Sequence, residues 1–125
     1  MTQPMQIYRC NVCGNIVKVL RAGAGQLVCC GQPMELLTEK KNDVGQEKHV
    51  PVLEPSAKGT LVKVSSVPHP MEETHFIEWI EIITQHGACR ITLQPGNQPQ
   101  AEFCVPPTEI LKARIYCNVH SLWSN

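Results

Sequence analysis

Four of the seven cysteines lie within residues 10–30, and their spacing constrains this chain more than any other feature. Cys10 and Cys13 form a C-x-x-C pair, and Cys29 and Cys30 are adjacent to each other. Four thiolates at this spacing are typical of a tetrahedral zinc or iron site, and the spacing does not separate the two metals. Because ligation by neighbouring residues restricts one S–metal–S angle, we expect a distorted tetrahedron. Two disulfides or four inert core thiols are the alternatives.

The context of the cysteines favours thiolates over disulfides. The number of cysteines is odd, so they cannot all pair within one chain. The N-terminus has no apolar stretch of the kind that a secretory signal needs, which predicts a cytoplasmic protein. In reducing cytoplasm, a high density of cysteines points to metal binding or catalysis.

Residues 1–37 form the first predicted domain. Two short β runs flank a turn at Gly23–Gly25, and each run has a cysteine pair close to a glycine. A unit of this size buries too little apolar surface to be stable alone and needs a metal or a partner chain. Residues 38–47 are almost wholly polar and are predicted to be a linker.

Residues 48–125 form the second predicted domain, and their pattern is that of short strands. Glycine and proline separate apolar runs at 50–53, 60–64, 75–84, 89–93, 101–105 and 112–120. The run at 75–84 is long enough for a helix, but its isoleucine, tryptophan, phenylalanine and threonine favour a strand. The whole chain is therefore predicted to be all-β, with a sandwich or barrel after the linker.

Composition excludes two classes of protein. The formal net charge is zero, whereas a nucleic-acid binder would show a basic surplus. No run of about 18 apolar residues exists, so no membrane-spanning segment is expected. Hydrophobic residues make up 42% of the chain, which is enough for a globular core.

Histidine and the remaining cysteines suggest a second metal site. His69 and His75 flank a proline-containing loop, and Cys117 and His120 form a C-x-x-H pair at the end of the last predicted strand. Strand alternation directs Cys117 inward with apolar neighbours, and His120 can curl back toward it. Imidazole and thiolate ligands together suit iron, copper or zinc.

Five motifs, in order along the chain, resemble those of the family of desulfoferrodoxin, the two-iron form of superoxide reductase. They span nearly the whole chain and read YxCxxCGNIV from Tyr8, LVCC from Leu27, EKHVPV from Glu47, HPMEExHxIxWI from His69 and YCNxH from Tyr116.

The resemblance implies an architecture and two iron ions per chain. The first domain would be desulforedoxin-like, with iron bound by Cys10, Cys13, Cys29 and Cys30. The second would be an immunoglobulin-like β-sandwich. Its iron would be bound by four equatorial histidines and one axial cysteine, namely His49, His69, His75, His120 and Cys117.

The family's activity is the one-electron reduction of superoxide to hydrogen peroxide, without release of oxygen, at an iron with an open sixth position. The resemblance implies that Lys48 steers superoxide to that position. It also implies that Glu47 becomes the sixth ligand of the oxidised iron. A rubredoxin-type electron donor and a homodimer are expected by the same resemblance. The first iron would either relay electrons or stabilise the fold and the dimer.

Two other classes of function stay open on the residues alone. A non-enzymatic iron electron-transfer protein would need no open position, and a structural zinc protein would have no redox chemistry. Three residues match no ligand of the family. Cys89 and Cys104 are expected to be small buried hydrophobic residues, and His86 is expected to be exposed in a turn.

Overall fold

The computed structural model describes residues 1–42 and 48–125 and divides into two compact units, Met1–Thr38 and Glu39–Asn125. Within the described residues both units are built from antiparallel strands, and the only helical turn is a short 3₁₀ segment at Pro107–Glu109. The predicted all-β fold is confirmed. Among these residues there is no helix that is both long and apolar enough to cross a membrane.

The first unit contains five very short strands. They are β1 (Ile7–Arg9), β2 (Ile16–Lys18), β3 (Val28–Cys29), β4 (Gln32–Pro33) and β5 (Glu35–Leu36). Strands β2, β1 and β5 form one sheet in that order, and β3 and β4 form a separate hairpin. Only two β runs were predicted here, because strands of two residues are too short to show an alternating pattern.

Few side chains are buried in the first unit. The apolar ones are Ile7, Cys10, Val19 and Leu37, and one of these four is a predicted metal ligand. Apolar burial on this scale is small for an independent fold. A bound metal is therefore the expected source of much of this unit's stability.

The second unit is a sandwich of two antiparallel sheets. Strands β6 (Pro51–Pro55), β7 (Thr60–Val64) and β10 (Gln100–Phe103) form a sheet in the order β10-β7-β6. Strands β8 (Ile77–Thr84), β9 (Gly87–Thr92), β11 (Ile110–Cys117) and β12 (Ser121–Ser124) form the other, in the order β12-β11-β8-β9. This is the expected immunoglobulin-like β-sandwich.

Alternating side chains of both sheets meet in one core. Val62 and Val64 on β7 face the same cluster as Ile80 and Ile82 on β8, as the two-residue period of a strand requires. The cluster comprises Val62, Val64, Ile77, Ile80, Ile82, Leu93, Ala101, Phe103, Ala113, Ile115, Cys117 and Trp123. Cys117 and Trp123 thus belong to the core at the end of the sheet where the predicted ligands lie.

A register shift lies at this end of the β8–β11 pair. Tyr116 pairs with Trp79, but the next residue, Cys117, pairs with Ile77, so β8 contributes one extra residue. The irregularity is a β-bulge, a feature that re-aims side chains at sheet ends. The bulge places Ile77 opposite Cys117, and both residues are fully buried.

Two sequence-based expectations need correction. The apolar run at 112–120 is not one strand, because β11 ends at Cys117 and a turn leads into β12 at Ser121. Cys89 and Cys104 are exposed, so the expectation that they are buried was wrong. Cys89 is exposed because β9 is the edge strand of its sheet. Cys104 is exposed because it follows the buried Phe103 at the end of β10, and its side chain alternates away from the core. His86 is exposed, as expected.

Gly59 makes the closest backbone approach that the structure shows for a described glycine. A Cβ atom at this position would lie 2.5 Å from the carbonyl oxygen of Phe103 and 2.7 Å from the nitrogen of Val105. Its φ of 154° also lies outside the range that other residues readily adopt. Glycine is required here because the turn between β6 and β7 packs directly on the chain that follows β10.

We predict that Gly59→Ala destabilises the second unit by about 3 kcal/mol or more, because backbone atoms cannot move aside as a side chain would. Gly87→Ala is the matched control. Gly87 also has a positive φ, 135°, but a Cβ atom there would meet nothing within 4 Å, so a cost of about 1 kcal/mol is expected. Thermal and denaturant unfolding of the two variants measure this difference, and equal losses would contradict the steric argument.

Candidate metal centres

The first candidate centre is built on two tight turns of the first unit. Cys10 follows β1, and its Sγ accepts hydrogen bonds from the backbone N–H groups of Val12 and Cys13, each at 3.4 Å. Gly14 adopts a φ of 84° and donates its N–H to the Cys10 carbonyl at 3.0 Å. This turn holds the C-x-x-C pair with both sulfurs on one side.

The adjacent cysteines have a simple conformational explanation. Cys30 and Gly31 are the two loop residues of the β3–β4 hairpin, and both have positive φ, 54° and 74°. Two consecutive positive φ angles are the mark of a type I′ hairpin turn. Cys29 ends β3 and Cys30 begins the turn, so a sharp change in chain direction separates two neighbouring side chains and lets both reach one point.

The sulfur distances fit a tetrahedral ion. The Sγ atoms of Cys13 and Cys29 are 3.6 Å apart, and those of Cys29 and Cys30 are 4.0 Å apart. Four sulfurs at about 2.3 Å from a metal would be about 3.8 Å from one another. All four ligand atoms lie within 4.8 Å of one another, and the spread around the ideal value agrees with a distorted tetrahedron.

The thiols of this cluster differ in acidity. The backbone hydrogen bonds from Cys13 and Val12 lower the pKa of Cys10 to about 6, so that this thiol is largely ionised at neutral pH. Hydrogen bonding to Cys13 and Cys29 raises the pKa of Cys30 to about 12. Metal binding must therefore displace a proton from Cys30, while Cys10 already offers a thiolate.

The second candidate centre lies at one end of the sandwich and takes its residues from four places in the chain. His49 precedes β6, His69 and His75 lie between β7 and β8, Cys117 ends β11, and His120 lies in the turn before β12. Their five ligand atoms also lie within 4.8 Å of one another. Ligands of about 2.1 Å bond length on opposite sides of one ion would be about 4.2 Å apart, so these atoms span a single coordination sphere.

The four imidazole rings surround one point, and each ring has two of the others as neighbours. Neighbouring ring centroids are separated by 4.6 Å for His49 and His69, 4.9 Å for His69 and His75, 5.1 Å for His75 and His120, and 4.8 Å for His120 and His49. The sides are nearly equal. His69 and His120 are therefore opposite corners of an approximate square.

The thiolate position follows from that square. The Sγ of Cys117 lies 3.6 Å from His69 Nε2 and 3.9 Å from His120 Nδ1, two opposite corners. A sulfur near both must lie above the middle of the square, on one face of it. A metal held here would have these four nitrogens and this sulfur as protein ligands and could bind one further ligand on the face away from Cys117.

A hydrogen bond fixes the tautomer of His69. Its Nδ1 lies 2.7 Å from the Pro70 carbonyl oxygen, which can only accept, so Nδ1 carries the proton and Nε2 is left with a lone pair. That Nε2 is 2.9 Å from His49 Nε2. Two nitrogens bound at a right angle to one ion would be about 3.0 Å apart, which agrees with this spacing.

Asn118 ties the two ligand-bearing loops together. Its side-chain oxygen accepts the Phe76 N–H at 2.9 Å, and its amide nitrogen donates to the Thr74 carbonyl at 3.1 Å. The turn after Cys117 is thereby fixed to the segment around His75. Asn118 stood inside the recognised YCNxH motif, but its two bonds could not be read from the sequence.

Trp123 is the other residue whose role the sequence did not reveal. Its indole stacks on His49, with centroids 4.6 Å apart and an angle of 14° between the planes. Its Nε1 donates to the His120 carbonyl at 3.0 Å. Trp123 therefore supports two of the four histidines.

The two candidate catalytic residues adjoin His49 in sequence. Lys48 is half-buried. Glu47 lies outside the residues that the structure describes.

Comparison with known proteins gives matches over the whole chain. Residues 2–37 match the family model described as desulfoferrodoxin, N-terminal domain, and residues 41–125 match the one described as desulfoferrodoxin. A desulfoferrodoxin homolog from Methanothermobacter thermautotrophicus is 59% identical over 98% of this chain and 99% of its own length. The desulfoferrodoxin of Syntrophotalea carbinolica is 55% identical over 100% of this chain and 98% of its own length.

A solved structure agrees with these matches. The superoxide reductase of Treponema pallidum superposes with a TM-score of 0.80 over 96% of each chain, at 25% sequence identity. The first matched segment contains the four-cysteine cluster and the second contains the cluster of four histidines and one cysteine, which fits two iron sites per chain. The chain belongs to the desulfoferrodoxin family.

Proposed function

We propose that this protein is a superoxide reductase, which reduces superoxide to hydrogen peroxide by one electron without releasing oxygen. The reaction takes place at a mononuclear non-haem iron held by the histidine–cysteine cluster, comprising His49, His69, His75, His120 and Cys117. The observation that carries the proposal is the square of four imidazoles with one sulfur on a single face. A simple electron carrier has no use for an open sixth position.

The chemistry of the ligands suits an anionic substrate. When bound, iron supplies the single electron, and superoxide plus one electron and two protons gives hydrogen peroxide. The neutral imidazoles leave most of the metal's positive charge uncancelled, because only Cys117 brings a negative charge. Cys117 lies in the apolar core, and its thiolate would donate electron density to an iron held by this cluster.

Lys48 and Glu47 are proposed to act at that open position. Lys48 directly precedes His49, and a cation there raises the local concentration of superoxide. Glu47 is one residue further away and would ligate the oxidised iron after turnover. Both proposals are supported by the EKHVPV motif of the family.

The proposed division is into two domains, at residues 1–37 and 48–125, with a linker at 38–47, although Glu39 and Lys40 within it belong to the second compact unit. The family matches at 2–37 and 41–125 support this division. We propose that the four-cysteine iron mainly stabilises the first domain, because so few of its side chains are buried. A rubredoxin-type protein in the cytoplasm is the proposed electron donor, in line with the family and with a chain rich in metal-binding thiols.

A homodimer is proposed through the sheet of the first unit. Val17 on β2 and Leu36 on β5 both pair with Tyr8 on the central strand, so the three side chains form a row on one face. Val17 is 37% exposed and Leu36 42% exposed. A contiguous apolar row on so small a unit is better explained by a second copy of the chain than by contact with water.

The activity is tested by stopped-flow mixing of the reduced protein with superoxide. We expect rapid oxidation of the iron, one hydrogen peroxide per electron and no oxygen. Lys48→Gln should lower the second-order rate constant by about tenfold at low salt, with a smaller effect at high salt. Lys41→Gln removes the same charge from an exposed side chain and should leave the rate within about twofold.

Absence of both iron oxidation and peroxide would exclude the reductase and favour the electron carrier. Equal effects of the two lysine substitutions would remove the specific role of Lys48 and leave the reaction itself intact.

The dimer is tested by sedimentation equilibrium of Leu36→Lys. A buried, unpaired charge in the apolar row should raise the dissociation constant of the dimer by more than about tenfold. Val52→Lys is the control, since Val52 is similarly exposed, at 39%, but lies on β6 of the second unit. A wild-type protein that sediments as a monomer would contradict the proposed dimer.

A further inference from the structure

Lys40 lies beside the last strand of the sandwich. Its N–H donates to the Leu122 carbonyl at 2.9 Å, and its own carbonyl accepts the Ser124 N–H at 2.9 Å. These two bonds form a parallel bridge between Lys40 and Trp123. One residue of a highly polar segment is thus fixed to the sheet that carries Cys117 and His120.

Glu39 holds the same segment from the other side. Its carboxylate accepts from Lys112 Nζ at 2.7 and 2.8 Å and from Arg114 Nη1 at 3.4 Å. Burial alone would raise the pKa of Glu39, but the bonds from Lys112 outweigh it and lower the pKa, so the carboxyl is ionised at neutral pH. Because side chains alternate along an extended chain, Lys40 is directed away from these partners and toward Trp123.

The ammonium of Lys40 has two contacts next to the histidine–cysteine cluster. It lies 5.4 Å from the centre of the Trp123 ring, a distance at which a cation is attracted to an aromatic face. It also donates to the His120 carbonyl at 3.0 Å, the same oxygen that accepts the Trp123 Nε1–H at 3.0 Å. Trp123 therefore contacts both this charge and His49, on which its ring stacks.

We propose that Lys40 is a positioning residue of the histidine–cysteine centre and raises the reduction potential of the iron bound there. It acts through Trp123 and through the carbonyl of His120, and it touches neither the metal nor the substrate. The proposal depends on iron at this centre and does not depend on superoxide as the substrate.

The sign of the effect follows from charge. Reduction lowers the positive charge of the centre by one, so a fixed cation nearby disfavours the oxidised state more than the reduced state. Lys40 is exposed, and solvent weakens its field without removing it. Its bond to the His120 carbonyl also restrains the turn that carries His120, which is three residues from Cys117.

The test is a redox titration of the iron-loaded protein, in which the second iron is followed by its own absorption or electron paramagnetic resonance signal. Lys40→Gln should lower the potential, with the equilibrium constant for reduction falling by about threefold or more, the size expected for one partly screened charge. Lys40→Arg keeps the charge and the hydrogen-bond donors, so it should retain the wild-type potential. Lys41→Gln removes the same charge one residue away and should also retain it.

Three results would overturn the proposal. They are an unchanged potential in Lys40→Gln, an equal decrease in Lys41→Gln, and a decrease in Lys40→Arg as large as that in Lys40→Gln. Far-UV circular dichroism and iron content of each variant establish that the comparison is made between folded, loaded proteins. Since potential is measured without superoxide, a protein that failed the stopped-flow test could still support or contradict the role of Lys40.

Discussion

Cys117 belongs to the apolar core and to the histidine cluster at the same time, and the geometry of the second unit depends on this double contact. Its side chain is fully buried among residues of both sheets, and its sulfur lies over two opposite corners of the imidazole square. The regular alternation of β11 directs it inward, and the β-bulge in β8 places Ile77 opposite it. Because core packing fixes the position of the Cys117 sulfur, the loops that carry the histidines must place their nitrogens around that position. Asn118 holds the Thr74–Phe76 segment by two hydrogen bonds. Trp123 contacts His49 and the carbonyl of His120.

The first unit differs from the second, because it has almost no core to which a ligand could be fixed. Its sulfurs are positioned by backbone conformation: the N–H groups that bind Cys10 Sγ, and the two positive φ angles at Cys30 and Gly31. Such turns need a bound ion or a second chain to be stable. The contrast explains why one centre can have an open position within a rigid scaffold while the other is closed by four protein ligands.

Local signals predicted the fold class and the four-cysteine set, namely the C-x-x-C spacing and the glycine and proline between apolar runs. The full histidine–cysteine set was implied by the resemblance of five motifs to the family, because only the C-x-x-H pair has a recognisable spacing. The sequence did not predict what depends on distant partners. The exposure of Cys89 and Cys104 depends on whether the strand lies at a sheet edge and on which face the side chain occupies. The apolar character of the sequence does not reveal either. The stacking of Trp123 on His49 joins residues far apart in the chain. The attachment of Lys40 to β12 was missed within the predicted linker, because this bridge requires no apolar side chain.

The histidine–cysteine iron is proposed to have one position open to an anion. Titration of the oxidised protein with azide, followed by visible absorption, tests it most directly. The absorption of the histidine–cysteine iron should change with a saturable dependence on azide, and that of the four-cysteine iron should stay constant. Glu47→Ala should bind azide more tightly, because the proposed competing carboxylate is removed. An azide-independent spectrum in both proteins would contradict the open position and, with it, the proposed reaction.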